Sequence, residues 1–306
     1  MPNFVPVPRP FTTADNPTIR ELRGRIIACW RQAGIDEAAH EADLLLAWLL
    51  ECDRAGLILA AEQKIEPSQL ARLEQLVGRR AAREPLAYLL EEWEFWSLPF
   101  RVGPEVLIPR PETELLVEEA LKFAREARPF KPAIKILDLG TGSGVLAVVL
   151  ARELPGAEVV AVDRSPAALR IAGFNARRHG VEQRVALVAA DWLTAFRSPA
   201  PLFDLVVSNP PYVEDAALAG LAPEVRDFEP HLALDGGEAG LREIIRLAGE
   251  IPPLLQPGGR LLIEIGWDQG AAVRRLFAAN PAFDQVEVLA DLAGLPRILS
   301  CRRCHG

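Results

Sequence analysis

The chain has no apolar run long enough to cross a bilayer, which points away from a helical membrane anchor. It also lacks a basic balance. The net charge is −8, which argues against a large sequence-independent grip on nucleic acid, since that needs a basic surface to displace counterions. The short basic pairs Arg79-Arg80 and Arg177-Arg178 read as solvated helix faces. Met1–Pro10 has neither the basic start nor the apolar core of a secretory signal. Its four prolines suggest a flexible, polyproline-like tail over residues 1–17, so the expectation is a cytoplasmic protein with reduced thiols. Cysteine is scarce, at four residues. Cys29 and Cys52 sit in apolar helical patterns and read as core thiols. Cys301-Arg-Arg-Cys304-His305 has a haem-attachment or metal spacing but no second ligand pair, so it reads as a frayed tail and no metal is expected.

What is present is an ordinary globular composition in 306 residues, enough for two domains that each bury a core. Thr18-Ile-Arg-Glu21 is a capping box. Ile19, Leu22, Ile26 and Trp30 follow at helical spacing, and Gly34 ends that helix. Asp36 is placed to cap a second helix carrying Ala39, Ala42, Leu45, Leu46 and Leu49. Pro67 opens a third, with Leu70, Leu73, Leu76 and Val77 on one face. Residues 18–84 therefore read as a small helical bundle, and its His40 as a solvated helix residue. Residues 85–111 read as a hairpin over Phe95–Val102 followed by the stiff connector Leu107-Ile-Pro-Arg110-Pro111.

A helix opening at Pro111 or Thr113 follows, and then strands and helices alternate. Strands are expected at Ile134–Leu139, Glu158–Val162, Val185–Ala189, Asp204–Ser208, Arg260–Ile265, Phe283–Leu289 and Arg297–Cys301. Helices are expected at Val145–Glu153, Pro166–His179, Leu241–Leu255 and Gly270–Ala279. That alternation predicts an α/β fold with a doubly wound, largely parallel sheet, whose ligands bind at the carboxyl ends of the strands.

Three strand ends carry a coherent set of groups. Asp138-Leu-Gly140-Thr141-Gly142-Ser143-Gly144 follows the first strand, and its glycines let backbone approach a ligand. The nicotinamide fingerprint fails, because Val145 stands where its last glycine belongs. Asp163 ends the second strand, placed to accept ribose hydroxyls. Asp191-Trp192 ends the third, an acid and a ring suited to an adenine. Together they favour an adenosyl ligand without a pyrophosphate. At the fourth strand, Asn209-Pro210-Pro211-Tyr212 is a rigid turn bearing an amide, a carbonyl and a ring. A stiff turn and a grip on a planar NH₂ group fit those four residues equally.

The set as a whole resembles class I S-adenosylmethionine methyltransferases acting on a planar nitrogen. More narrowly it resembles the HemK-type peptide chain release factor glutamine N5-methyltransferases. The resemblance spans residues 18 to about 303 and rests on several stretches. These are Glu94-Phe-Trp-Ser-Leu98, Leu107-Ile-Pro-Arg-Pro-Glu-Thr-Glu114, Asn209–Tyr212 and Phe228-Glu-Pro230 with Ala233-Leu-Asp-Gly-Gly237. Glu264-Ile-Gly-Trp-Asp-Gln269 and Asp291-Leu-Ala-Gly294 with Arg297 complete it. Glu91 departs from it, standing where the family usually has glycine.

The resemblance implies a seven-stranded methyltransferase domain over residues 112–303 behind the bundle. It implies S-adenosylmethionine as methyl donor, held by Asp138, Gly140, Thr141, Gly142, Ser143, Gly144, Asp163, Asp191, Trp192 and Asn209. It implies the glutamine of a release factor's Gly-Gly-Gln loop as acceptor, bound by Asn209, Pro210, Pro211, Tyr212 and Arg110. The bundle and the Pro109-Arg110-Pro111 connector would form one wall of the acceptor groove. Asn209 Oδ1 and the Pro210 carbonyl would accept the two amide hydrogens, Tyr212 would cover the amide face, and no general base is assigned. Two alternatives use the same Asn-Pro-Pro-Tyr turn: an adenine N6-methyltransferase acting on DNA or RNA, and a ribosomal-protein glutamine methyltransferase. A non-catalytic cofactor-binding module accounts poorly for Asn209 and Tyr212 together. Nothing in the sequence calls for more than a monomer.

Overall fold

The computed structural model describes residues 17–127, 133–196 and 202–305. The proline-rich tail lies outside them, apart from Pro17. The chain divides into two compact units. The first runs to Glu92 and takes in Ala222–Phe228; the second runs from Trp93 to Leu221 and resumes at Glu229.

The first unit is helical: α1 (Ile19–Gln32), α2 (Ala38–Leu49), α3 (Arg54–Leu59), α4 (Pro67–Ala81) and α5 (Leu86–Leu90). The Thr18 hydroxyl accepts the Glu21 N–H at 3.3 Å, and Glu21 Oε2 accepts the Thr18 N–H at 2.9 Å, so the capping box forms. Leu22, Ile26, Trp30, Leu45, Leu46 and Leu73 are fully buried together. Each such burial stabilises the unit by roughly 1.5–3 kcal/mol. The second helix begins at Ala38, not under an Asp36 cap, and Ala38 rather than Ala39 takes the core position. Two short helices escape the periodic reading. In α3 only Leu57 is buried, while Ile58 and Leu59 face outward, so it carries no apolar stripe. α5 is a single turn of mostly buried residues.

The segment Pro223–Phe228 (α10) belongs to this unit through charge. Glu224 accepts from Arg80 Nη1 at 2.9 Å and from Arg83 Nη2 at 2.7 Å. Arg80, 4 % exposed, also donates to both Glu41 oxygens at 2.6 and 3.0 Å. A buried guanidinium with every arm paired tolerates loss of a partner poorly. Arg80 is thus an interior ion-pair hub and not a solvated basic face.

The chain enters the second unit through a hairpin of β1 (Glu92–Phe95), whose first residue falls in the first unit, and β2 (Leu98–Arg101). A 3-10 turn at Pro111–Thr113 leads into α6 (Glu114–Ala127). Next come β3 (Lys135–Leu139), α7 (Val145–Glu153), β4 (Glu158–Asp163), α8 (Pro166–Arg178), β5 (Val185–Ala189) and β6 (Phe203–Ser208). After the short α9 (Asp215–Leu218) follow α11 (Arg242–Glu250), β7 (Leu255–Glu264), α12 (Gly270–Ala278), β8 (Phe283–Ala290) and β9 (Pro296–Arg303).

Seven strands form one sheet in the order β5-β4-β3-β6-β7-β9-β8, parallel except for β9, which pairs antiparallel with both β7 and β8. Alternate residues supply the two cores. Ile136, Leu205, Val207, Leu262 and Ile298 pack with α6 and α7. Leu137, Leu139, Val206, Leu261, Ile263 and Leu299 pack with α11 and α12. Both faces are covered at the centre of the sheet, where β6 is buried along its length and β3 after its first residue, whereas β5 and β8 are largely exposed.

Two expectations are corrected here. The helix expected over Leu241–Leu255 stops at Glu250, because Pro252 and Pro253 supply no N–H and form a separate 3-10 turn. Cys301 is not frayed: it lies on β9, fully buried against the α12 side of the sheet, where burial pushes its thiol up. Cys304 Sγ reaches only the Pro281 carbonyl, at 3.5 Å. Among the described residues no cluster of His, Cys, Asp or Glu is arranged to hold a metal ion.

Glu91, at the end of α5, has φ 56° and ψ 17°, a left-handed conformation that suits glycine. Glu91→Gly is expected to raise stability by about 1 kcal/mol by relieving that strain. Denaturant unfolding checks it; an unchanged midpoint contradicts it.

Candidate active site

The sheet's order reverses between β3 and β6, and both β4 and β6 pair with β3. A cleft opens beyond the carboxyl ends of these strands, where such a switch point leaves room for a ligand. Gly140, Thr141, Gly142, Ser143, Asp163, Asp191, Trp192, Asn209, Pro211 and Arg110 all line it. Asp138, Gly144, Pro210 and Tyr212, also expected at the site, are not part of that lining.

The glycine loop is tied from below. Gly140 and Thr141 N–H groups both donate to Val162 O at 2.9 Å. Asp138, fully buried, accepts the Thr141 hydroxyl at 2.6 Å. Burial pushes the Asp138 carboxyl up to about 7, against the pull of that hydroxyl. Asp163 Oδ2 accepts the Gly142 N–H at 2.9 Å, and its Oδ1 accepts the Ser165 N–H at 2.8 Å. Each oxygen keeps a lone pair for a further donor. Gly144 has φ +83°, and a Cβ there would sit 3.0 Å from Ala172, so it serves the contact of α7 with α8. A Cβ on Gly140 would lie 3.4 Å from the Trp192 ring and fill the narrow space between loop and indole. Trp192, at φ 50°, is held by Nε1 donating to Glu243 Oε2 at 2.7 Å. Asp191 accepts from Arg246 Nη1 at 3.0 and 3.1 Å. The lining carries no histidine, cysteine or lysine among the described residues.

The Asn-Pro-Pro-Tyr turn is held from three sides. Ser208 donates to Leu139 O at 2.8 Å and fixes the end of β6 to β3. Gln269 Nε2 lies 3.0 Å from Tyr212 O and 3.1 Å from the Ala239 and Gly240 carbonyls. Gly240 packs so closely that a Cβ would come within 2.0 Å of Tyr212 O. The third side is a chain of side chains. Asn209 Nδ2 donates to Thr113 Oγ1 at 3.3 Å, and Thr113 donates to Glu264 Oε2 at 2.7 Å. Tyr212 donates its hydroxyl to Glu264 Oε1 at 3.2 Å. Glu264 is 1 % exposed, and burial pushes its carboxyl up to about 7 although both hydroxyls favour its charge. Burial and the Glu264 carboxylate also push the Tyr212 phenol up, so it stays a hydrogen-bond donor.

Arg110 is not free to serve a ligand alone. It donates to Glu229, whose other oxygen accepts the Ile108 N–H at 3.1 Å, and so the Ile-Pro-Arg-Pro connector is pinned beside the cleft. Thr113, Glu264, Gln269 and Glu229 are the residues that sequence reasoning left without roles. All four lie inside stretches quoted for the resemblance, yet no spacing rule brings residues so distant in the chain together.

The two buried carboxyls set a pH dependence. The native-state value of Glu264, about 7, exceeds the ordinary 4.5, so the native state holds a proton that the unfolded chain releases. That stability is full below 4.5 and is lost as pH rises through about 7. Glu264→Gln is expected to flatten the fall in unfolding free energy between about pH 5 and pH 8 by about 3 kcal/mol. Denaturant titrations at several pH values check this; parallel curves for the two proteins contradict it.

Comparison with known proteins adds to this geometry. A family model described as "PrmC N-terminal domain" matches residues 21–90, and one described as "Methyltransferase domain" matches residues 130–289. A protein of Cereibacter sphaeroides named release factor glutamine methyltransferase is 46 % identical over 270 residues, covering 88 % of this chain and 93 % of that protein. Proteins of the same name from Bradyrhizobium diazoefficiens and Moorella thermoacetica are 40 % and 42 % identical, covering 96 % and 94 % of this chain and 97 % and 99 % of theirs. Among solved structures, the catalytic domain of hMettl16 in complex with an RNA hairpin matches with a TM-score of 0.54 at 15 % identity, over 74 % of this chain and 81 % of that one. That likeness concerns the fold alone.

Proposed function

The chain belongs to the release factor glutamine methyltransferase family, and from that premise we propose that Asn209–Tyr212 holds the glutamine amide while the Gly140–Gly144 loop, Asp163 and Trp192 hold the methyl donor. The reaction is transfer of a methyl group from S-adenosylmethionine to the side-chain nitrogen of a release-factor glutamine, which we take to be that of the Gly-Gly-Gln motif: the S–CH₃ bond breaks to leave S-adenosyl-L-homocysteine, the N–CH₃ bond forms, and the nitrogen gives up one of its two protons. One observation carries the assignment of roles. Asn209 Nδ2 is engaged by Thr113, whereas Asn209 Oδ1 and the Pro210 carbonyl have no hydrogen-bond partner among the described residues.

An amide nitrogen is a poor nucleophile because its lone pair is shared with the carbonyl. When bound, S-adenosylmethionine supplies an electrophilic methyl group on a positively charged sulfur. The protein's task is to turn the nitrogen lone pair toward that methyl group. Two acceptors, Asn209 Oδ1 and Pro210 O, take the two amide hydrogens and fix the amide plane. Rigid prolines keep both in place. Tyr212, immobilised through Glu264 and Gln269, covers one face. Near-attack geometry supplies most of the catalysis, and no general base is assigned. On the donor side, the free lone pairs of Asp163 suit ribose hydroxyls, and the space between Gly140 and Trp192 suits a planar base. Asp191 lines the same end of the cleft.

The first unit, matched by the family's N-terminal model, is assigned to release-factor recognition. The enzyme is taken to act as a cytoplasmic monomer; no helix among the described residues is long and apolar enough to cross a membrane. The relatives' names favour a release factor over a ribosomal protein or a nucleic acid as acceptor.

Incubation with labelled S-adenosylmethionine and a release factor is expected to place label in the Gly-Gly-Gln peptide; label only in DNA or RNA contradicts the assignment. Asn209→Ala is expected to lower kcat by about 100-fold with donor affinity nearly unchanged. Asp163→Ala is expected to weaken donor binding by about tenfold or more, read by calorimetry. Near-normal turnover in the first variant, or unchanged affinity in the second, overturns its role.

A further inference from the structure

Glu264 has no place among the groups that touch either substrate, yet it is buried at the end of β7 with both oxygens occupied. An ionised carboxylate only accepts hydrogen bonds. It therefore draws the hydroxyl protons of Thr113 and Tyr212 toward itself. A hydroxyl has a single proton, so Thr113 Oγ1 then has only lone pairs left to offer its other neighbour. Of the two ends of the Asn209 amide, only the NH₂ group meets a lone pair favourably. The carbonyl end must point the opposite way.

We propose that Glu264 is the positioning residue that decides which end of the Asn209 amide faces the acceptor glutamine, acting through the Thr113 hydroxyl. The inference rests on the reading of Asn209 given above. Its polarity runs in one direction: carboxylate, hydroxyl, amide NH₂, amide oxygen, substrate N–H. A proton taken up on Oε2, the oxygen facing Thr113, reverses it, with the Tyr212 hydroxyl still donating to Oε1. The carboxylic acid then has a proton of its own to donate to Thr113 Oγ1, and the Thr113 hydroxyl turns its proton to Asn209 Oδ1. The NH₂ end of Asn209 then faces the NH₂ of the substrate, donor against donor. The backbone cannot compensate, because Gln269 and Gly240 clamp it at Tyr212.

The groups facing Glu264 are Thr113 and Tyr212 by hydrogen bond, Arg297 as a favourable charge and Glu112 as an unfavourable one. Arg297 is shared, with its Nε 3.0 Å from Asp291 Oδ2 and Nη2 3.8 Å from Glu112 Oε1. Arg110 also acts on Tyr212. With burial opposing the charge, the carboxyl titrates at about 7. Activity is then present above that value and lost as pH falls through it.

Steady-state methylation of a release factor by the full chain tests this across about pH 6 to pH 9. The wild type is expected to lose kcat on an acidic limb centred near 7. Glutamine has one acceptor and one NH₂ at its end and cannot receive both hydroxyls. Glu264→Gln is therefore expected to lower kcat by tens of fold, on the scale of second-layer partners, and to abolish the limb. Donor affinity stays within about threefold, since Glu264 and Thr113 make no hydrogen bond to the Gly140–Gly144 loop, Asp163 or Trp192. Thr113→Ser, which keeps the hydroxyl, retains most of the turnover and the limb. Thr113→Val behaves like Glu264→Gln. Asp138→Asn, in the donor loop, alters donor binding and leaves the limb in place. A folded Glu264→Gln enzyme that keeps the acidic limb overturns the proposal. So does equal turnover in Thr113→Ser and Thr113→Val, which decides the matter even where Glu264→Gln does not fold. A wild type that folds and binds S-adenosylmethionine but methylates no release factor overturns the functional reading itself, and this inference with it.

Discussion

A carboxyl group buried at the end of the fifth parallel-sheet strand organises this active site. Glu264 is almost wholly removed from water and stands behind, not in, the cleft. Taking such a group out of water is costly, and the structure meets the cost with two hydroxyl donors and the nearby charge of Arg297. The outcome is a carboxyl that titrates close to neutrality. Replacing it with an uncharged group would make the protein more stable in alkaline solution. In the proposed role, the carboxyl exchanges stability for a fixed direction in a hydrogen-bond chain.

The fold supplies the rest of that rigidity. β6 lies between β3 and β7, so Asn209 emerges beside the glycine loop on one side and beside Glu264 on the other. Thr113 reaches the same point from the 3-10 turn that opens α6, because Glu229 pins the preceding connector through Ile108 and Arg110. The donor end has its own buried carboxyl, Asp138, holding Thr141 beneath the loop. The two carboxyls answer similar problems on the two sides of the switch point: each orders a polar turn from behind while leaving the cleft face of that turn open.

Much of this was legible in the residues. Alternating strands and helices implied the doubly wound sheet, and the glycine loop, Asp163, Asp191-Trp192 and Asn209–Tyr212 fell at the strand ends where such sheets bind ligands. Elements with a full apolar stripe, such as α1 and α4, were readable by period. α3 was not, since a helix with one buried residue has no period to read. Cys301 looked like a frayed end because it stands among the last six residues with no second ligand pair; pairing with β7 makes it core. Arg80 looked solvated because nothing local shows that Glu41 and Glu224 converge on it. Glu264 was the most hidden. A glutamate that ends a strand ordinarily faces water, and only the fold brings Thr113 and Tyr212 onto its two oxygens.

The most direct test follows the chain from one end to the other in a single titration. Side-chain resonances of Glu264, labelled with ¹³C at its carboxyl, and of the Asn209 amide, labelled with ¹⁵N, would be recorded together as pH is lowered. Both are expected to move with a common midpoint near 7, and Thr113→Val to uncouple the Asn209 amide from the carboxyl. An Asn209 amide that stays unmoved while Glu264 takes up its proton would contradict that expectation.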